Sequence, residues 1–207
     1  DVGRIRMSPT ELRDRAMDLA KGDADAALRL AREIPDPWFR AQALASAARW
    51  IDDSRVKRVA AEALASADAC HDDYKRAAVA AWPIRALLER GHLTSAAEAL
   101  GAARERALAA SPAGSRAEAL FGLMQASWSL GPEARHQLIA DIAATHELDQ
   151  FWRVTRCLVD AIVMMSATEP DVASQIVQRI SDDRTRSKAA RAIVTRGPCA
   201  PRDYFRG

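Results

Sequence analysis

Five arginines recur along the chain where they could bind phosphates or carboxylates. They are Arg40, Arg76, Arg116, Arg153 and Arg186. A row of guanidinium groups would present forked donors that match the oxygens of both ligands. In four cases, however, an Asp precedes the Arg by four residues, and such a pair on one helix face contributes only about 0.3–0.5 kcal/mol as a surface ion pair. The pairing favours a structural role. It leaves Arg116, which follows a Pro at that spacing, as a candidate contact for an acidic group.

Acidic pairs are the second group of residues that could do chemistry. They are Asp52-Asp53, Asp72-Asp73 and Asp182-Asp183. Paired carboxylates hold Mg²⁺ and a diphosphate in all-helical isoprenoid enzymes, but none of these pairs extends to the DDxxD spacing of such sites. Each pair also falls at a predicted helix start, where carboxylates stabilise the positive end of the helix dipole. We therefore predict that these residues cap helices.

Histidines and cysteines form no pattern for metal binding or nucleophilic catalysis. Cys70, His71 and Asp72 are ligand types, but adjacent residues cannot all point at one ion from a helix junction. The three cysteines, Cys70, Cys157 and Cys199, are far apart and include no CxxC spacing. No Gly-rich phosphate loop is present either. The sequence predicts a non-enzyme with no catalytic residue, no metal site and no cofactor.

Composition narrows the class of protein further. The 207 residues are rich in Ala, contain only 5% aromatics, and have nine Gly and nine Pro, which favours helices. Thirty basic residues nearly cancel 28 acidic ones, and this balance disfavours a protein built mainly to hold nucleic acid. No stretch approaches the ~18 apolar residues of a membrane span. Few, unpatterned cysteines indicate a reducing compartment, so we expect a cytoplasmic protein.

A repeat predicts the elements that position these residues. The five arginines are 36, 40, 37 and 33 residues apart, and small or apolar residues follow most of them at one and four positions. A period in the thirties accommodates two helices per unit and is typical of a helical solenoid. The predicted fold is all-α: a right-handed α-solenoid of about five helical hairpins. We predict helices at 9–21, 23–34, 37–51, 54–69, 73–90, 94–110, 113–129, 132–146, 148–166, 169–180 and 183–196.

No linker divides the predicted helices. We therefore predict one helical-repeat domain over residues 1–196, followed by a loose tail or linker over 197–207. The helix at 183–196 has no predicted partner after it, so one of its faces is expected to be uncovered. Solenoids normally end on a polar cap. This predicts that the natural chain is longer or that the uncovered face joins a second copy end to end.

The repeats resemble the degenerate helical-hairpin repeats of bacteria, which are HEAT-like or tetratricopeptide-like. The shared pattern, Ile-x-Asp-x-x-x-Arg-x-x-Ala-Leu, is clearest from Ile34 through Arg40 to Leu44, and the likeness covers roughly residues 24–196. The full tetratricopeptide signature is not present. The resemblance implies a non-catalytic protein- or peptide-binding module, a segment of a larger signalling or scaffold protein. HEAT-like arrays also include DNA-repair glycosylases, so a nucleic-acid-binding array is the alternative.

Four aromatic side chains are the candidate partner-binding residues, together with Arg116. Counted at about 100° per residue, Phe39, Trp50, Trp82 and Trp152 point away from the predicted core of the first helix in each hairpin. Outward-facing Trp and Phe side chains are common anchors for a partner. The alternative is that they pack between neighbouring first helices. The sequence leaves both interpretations open.

Overall fold

The computed structural model describes residues 7–197 and 199–205, and it is all-α over those residues. Eleven α-helices occur in the described chain, the number that the sequence predicts. They are α1 (Pro9–Ala20), α2 (Ala24–Glu33), α3 (Pro37–Ala48), α4 (Asp53–Asp68), α5 (Asp73–Glu89), α6 (Leu93–Ala109), α7 (Ala113–Ala126), α8 (Pro132–Leu148), α9 (Trp152–Ser166), α10 (Pro170–Arg179) and α11 (Asp183–Arg196), with a 3₁₀ turn at Trp128–Leu130 between α7 and α8.

Local capping explains why several helices begin where they do. Ser8 and Glu11 form a reciprocal capping box at the start of α1. Asp36, Asp72 and Asp182 precede α3, α5 and α11, and each carboxylate accepts a hydrogen bond from a backbone N–H two or three residues ahead. A cap of this kind stabilises a helix by about 1 kcal/mol. The Asp of the repeated motif is therefore a helix start signal.

The helices pack in two layers. The odd-numbered helices contact one another in chain order, from α1 to α11, and we call them the odd layer. Each even-numbered helix packs against the two odd helices that flank it in sequence, and these form the even layer. Stacking in chain order, in which a unit contacts its sequence neighbours, is compatible with a helical repeat.

Small side chains allow the odd layer to pack closely. Every residue of α3 from Ala41 to Ala48 is buried, because this helix has neighbours on three sides. Proline in a helix interior lacks a backbone N–H to donate, so a kink or break is expected at Pro83. Helix α5 nevertheless runs without interruption through this buried residue.

Ion pairs link successive helices of the even layer. In each pair the nitrogen and oxygen lie 2.5–2.9 Å apart. The pairs are Arg32–Glu62 and Arg55–Asp25 between α2 and α4, Arg106–Asp68 between α6 and α4, and Arg104–Asp141 between α6 and α8. Charges of opposite sign therefore face each other between repeats.

Four of the repeated arginines close the junction between one hairpin and the next. Each guanidinium donates a hydrogen bond to the backbone carbonyl six residues earlier, where the preceding even helix has just ended. The bonds are Arg40 to Ile34 (3.2 Å), Arg76 to Cys70 (2.8 Å), Arg116 to Ala110 (3.2 Å) and Arg186 to Ile180 (2.7 Å). The residues that supply these carbonyls are themselves buried. The repeated Arg thus caps the preceding helix. The ion pairs of Arg76 and Arg186 are with Asp73 and Asp183, three residues earlier, whereas the sequence predicts a pair with the Asp four residues earlier.

The fifth arginine, Arg153, does not take this position. Helix α9 begins at Trp152, so its fourth residue is Thr155, whose hydroxyl donates to the Gln150 carbonyl at 3.2 Å. Arg153 is exposed and lies with its guanidinium 5.5 Å from the Trp152 ring and its alkyl chain against Gly114. The predicted alignment of Arg153 with the other four is therefore shifted by two residues.

Helix α11 packs on α9 and α10. Its outer face carries Val194, whose side chain is 83% exposed, so the described part of the segment after α11 does not cover this face.

Within the described chain, no helix combines the length and the apolar character that crossing a membrane requires.

Candidate functional site

A groove of about 570 Å³ runs across the odd layer. Its walls come from α1, α3, α5, α7 and α9, and its remaining side is formed by Arg202 and Tyr204 of the segment after α11. The central lining residues are Trp38, Gln42, Tyr74, Trp82, Glu118 and Phe121. A cavity that combines several aromatic side chains with a few polar groups is a common form of ligand site.

The segment after α11 forms one side of this groove, and we call the described residues 199–205 the tail. Cys199 borders a small cavity with Phe121 and Asp160, next to α7 and α9. Farther along, Tyr204 reaches α7 and α5, and Phe205 reaches α5 and α3. The tail therefore passes the odd-numbered helices in the reverse of their order along the chain, from α9 toward α3. The sequence predicts a loose tail or linker over residues 197–207. In the structure, Tyr204 and Phe205 of this segment contact the odd layer.

Tyr204 is the anchor of the tail. Its side chain is 4% exposed, and its hydroxyl donates a hydrogen bond of 2.5 Å to the backbone carbonyl of Gly122 in α7. Its ring packs edge-on against Trp82 with the centroids 5.6 Å apart. Burial raises the pKa of the Tyr204 phenol, so this group stays protonated and remains a hydrogen-bond donor.

Gly122 gives the hydroxyl room to approach the helix backbone. A Cβ atom at this position would lie 3.7 Å from the Tyr204 oxygen. Alanine would fit at that distance, but a longer side chain would extend into the space of the phenol. By contrast, Gly101 of α6 has no heavy atom within 4 Å of such a Cβ atom.

Phe205 extends the anchor toward α3. Its ring lies edge-on to Trp82 at 5.3 Å, and the Arg49 guanidinium lies 4.1 Å from its centroid. The Arg49 guanidinium also lies 5.5 Å from the centroid of the Trp50 ring. The Lys21 ammonium group lies 5.9 Å from the same centroid. Cation–π contacts at such distances contribute about 0.5–1 kcal/mol where they are exposed.

The reach of the tail requires an extended backbone. Neighbouring helix axes in packed layers are about 8–10 Å apart, so the two spacings from the Cys199 cavity beside α7 and α9 to the Phe205 contacts with α5 and the end of α3 need about 16–20 Å. The six Cα–Cα steps from Cys199 to Phe205 span at most about 20–22 Å when fully extended. Consistent with this, residues 199–203 contain no helix or turn. The tail is therefore an extended segment along one side of the groove.

Polar groups along the groove are paired across neighbouring helices. Arg13 donates to the Gln42 side chain at 3.0 Å, and Arg156 donates to Glu118 at 2.7 Å. Asp160 accepts from Arg196 at 2.6 Å. The groove thus presents both signs of charge beside its aromatic centre.

The structure places the predicted binding residues in different environments. Phe39, Trp82 and Trp152 line three different cavities. Trp82 is 8% exposed beneath the tail, whereas Trp50 and Trp152 are 45% and 57% exposed. Arg116, half-buried, donates to the Ala110 carbonyl. Of the five, Trp82 is the residue that lines the groove and contacts the tail.

The sequence analysis missed Trp38 and Tyr74 as groove residues, for a geometric reason. The groove is lined by residues two positions before and two positions after the repeated Arg, such as Trp38 and Gln42 on α3 or Tyr74 and Ala78 on α5. The predicted binding residues lie one position before the Arg or six and ten after it, on a neighbouring face of the helix. The recurrence of an aromatic residue two positions before the Arg, at Trp38 and Tyr74, is the sequence signal for the groove.

Burial protects a thiol at the groove wall. It raises the pKa of Cys157 to about 11, so at pH 8 roughly one thiol in a thousand is ionised. Cys70 is also buried, whereas Cys199 is exposed.

We expect iodoacetamide at pH 8 to modify Cys199 rapidly in the native protein and to modify all three cysteines in denaturant. Mass spectrometry measures the modification. Rapid modification of Cys70 or Cys157 in the native Cys199→Ser variant would contradict this expectation.

No known protein family, curated protein or solved structure matches the chain. The assignment of its function therefore rests on the groove, the tail and the packing of the two layers.

Proposed function

We propose that the chain is a non-catalytic protein- or peptide-binding module, a right-handed α-solenoid of about five hairpins that works as a segment of a larger signalling or scaffold protein. The observation that carries the proposal is the tail itself. The tail passes along the odd layer from α9 to the end of α3, and its Tyr204 side chain is 96% removed from solvent. A surface that buries one extended peptide has the shape and chemistry to bind another.

The charge arrangement supports a protein partner over a nucleic acid. Arg55 is close in sequence to Lys57 and Arg58, and it pairs with Asp25 at 2.8 Å. Within the groove, Arg13 and Arg156 face acidic or amide partners on their own chain. Nucleic-acid binding draws on unpaired cations that replace the counterions of phosphates. The groove offers mixed charges and aromatic rings, which suit a polypeptide.

The proposal is tested with displayed random peptides selected against the full chain. We expect binders whose affinity falls at least tenfold on Ala78→Glu, because a carboxylate at this half-buried groove position faces Glu118 and obstructs the cleft. The matched control is Ala102→Glu, the same change at an exposed position on α6 of the even layer. Binders that respond equally to both variants, or a selection without groove-dependent binders, would overturn the proposal.

A further inference from the structure

We infer that the groove recognises an extended segment carrying a Tyr–Phe pair and that the tail occupies this site as an intramolecular competitor. The inference rests on the proposed function, since it names the ligand class and the regulation of the same groove. It starts from the contacts of Tyr204 and Phe205, whose rings both lie edge-on to Trp82.

The tyrosine position has three specific components. Trp82 supplies an edge-on ring contact, the Gly122 carbonyl accepts the phenolic proton, and the absent side chain at residue 122 leaves the space for the hydroxyl. A phenylalanine would fill the same space without the hydrogen bond. A branched aliphatic side chain would lose both the hydrogen bond and the aromatic contact. These features select tyrosine.

The next position selects a second aromatic ring. Phe205 lies between the edge of Trp82 and the guanidinium of Arg49, which itself is paired with Glu89 at 2.5 Å. The ion pair holds the guanidinium in place before a ring arrives, so little side-chain freedom is lost when the contact forms. The two adjacent positions together define the recognised dipeptide.

The tail is anchored by the side chains of Tyr204 and Phe205, and its backbone between Cys199 and Asp203 forms no helix or turn. A partner segment with the same two aromatic residues can therefore replace it without unfolding a helix. Because the tail is tethered to α11, its effective concentration at the groove is high, and a free peptide must compete against it. Release of the tail is expected to raise the affinity for such a partner.

The test uses a fluorescein-labelled peptide with the sequence of residues 199–205 and the full chain in three forms, and binding is measured by fluorescence anisotropy. We expect the peptide to bind the Tyr204→Ala/Phe205→Ala chain at least tenfold more tightly than the unsubstituted chain, because the substitutions free the groove. The single variant Tyr204→Ala provides the same comparison with a smaller change. Equal affinity for all three chains would overturn the inference.

Two further arms test the recognition itself. In the released chain, Gly122→Leu should abolish peptide binding, whereas the matched Gly101→Leu should leave it unchanged because that position is open. A peptide with Phe in place of Tyr should bind about two- to tenfold more weakly, as expected for one lost hydrogen bond. Unchanged binding to the Gly122→Leu chain would exclude the assigned site.

The outcomes separate this inference from the proposed function. If displayed peptides bind the groove but lack aromatic pairs and are not displaced by the tail peptide, the inference fails and the peptide-binding function stands. If no displayed peptide depends on the groove, the proposed function fails as well, whatever the tail peptide does.

Discussion

Replacing Leu123 by alanine is expected to lower the free energy of unfolding by about 2–5 kcal/mol. Leu123 is fully buried in α7, and this helix contacts α5, α6, α8 and α9. Truncation removes apolar contacts and leaves a cavity that rigid helices on several sides cannot close. Urea unfolding followed by far-ultraviolet circular dichroism measures the change. The matched control is Leu148→Ala, the same substitution at a side chain that is 80% exposed, for which we expect a change within about 0.5 kcal/mol.

The shape of the same transition distinguishes two descriptions of the fold. In a repeat array each unit is stabilised by its neighbours, so weakening the central unit uncouples the two ends and broadens the transition. A closed bundle with one shared core would shift its midpoint at a constant slope. We expect the broader transition for Leu123→Ala. A parallel shift would contradict the solenoid, and equal effects of both variants would contradict the assigned burial.

The positions of most helices could be predicted because their start signals are local. Asp36 and Pro37 begin α3 in the sequence and in the structure, and the same holds for Asp72 at α5 and Asp182 at α11. The largest difference is at α9, predicted to begin at residue 148 but beginning at Trp152. Asp149 accepts a hydrogen bond from the Phe151 N–H in the loop, so it serves a turn and not the helix.

The shifted start of α9 also explains an error in the site. The sequence groups Trp152 with Phe39, because each precedes an arginine of the repeat. In the structure Trp152 is the first residue of its helix and Phe39 is the third residue of α3, so the two side chains point in different directions. An alignment of degenerate repeats fixes the period but not the register within each unit.

The occupied groove could not be predicted from local patterns. The hydrogen bond from Tyr204 to Gly122 joins residues 82 positions apart, and nothing in either neighbourhood signals the other. The tail contains Pro and charged residues, a composition typical of a linker. Its docking depends on the surface that α3, α5, α7 and α9 form together, and this surface exists only after the layers have packed. The composition of the segment therefore predicts a loose tail, because it carries no sign of the surface on which the tail docks.

Replacing Arg76 by methionine is expected to destabilise the protein by about 1–3 kcal/mol, the cost of leaving a buried polar group without its partner. The Arg76 Nε donates to the Cys70 carbonyl at 2.8 Å, at a junction where Cys70 is 3% exposed. Methionine keeps the length and the helix propensity of the side chain, so the loss reports on the guanidinium and its hydrogen bond. Equilibrium unfolding in urea gives the change directly.

Arg153→Met is the matched control, because Arg153 is the repeated arginine that does not bond the preceding helix end. Its guanidinium lies over the exposed Trp152 ring, and its alkyl portion packs against Gly114 and is preserved in methionine. We expect the free energy of unfolding to change by no more than about 0.5 kcal/mol.

Arg76 and Arg186 cap junctions that are far apart, so their contributions to stability are independent. The variant with both Arg76→Met and Arg186→Met is therefore expected to lose the sum of the two single changes in the free energy of unfolding. If Arg153→Met cost as much as Arg76→Met, the capping role would be wrong, and the arginines would instead contribute through a general charge effect.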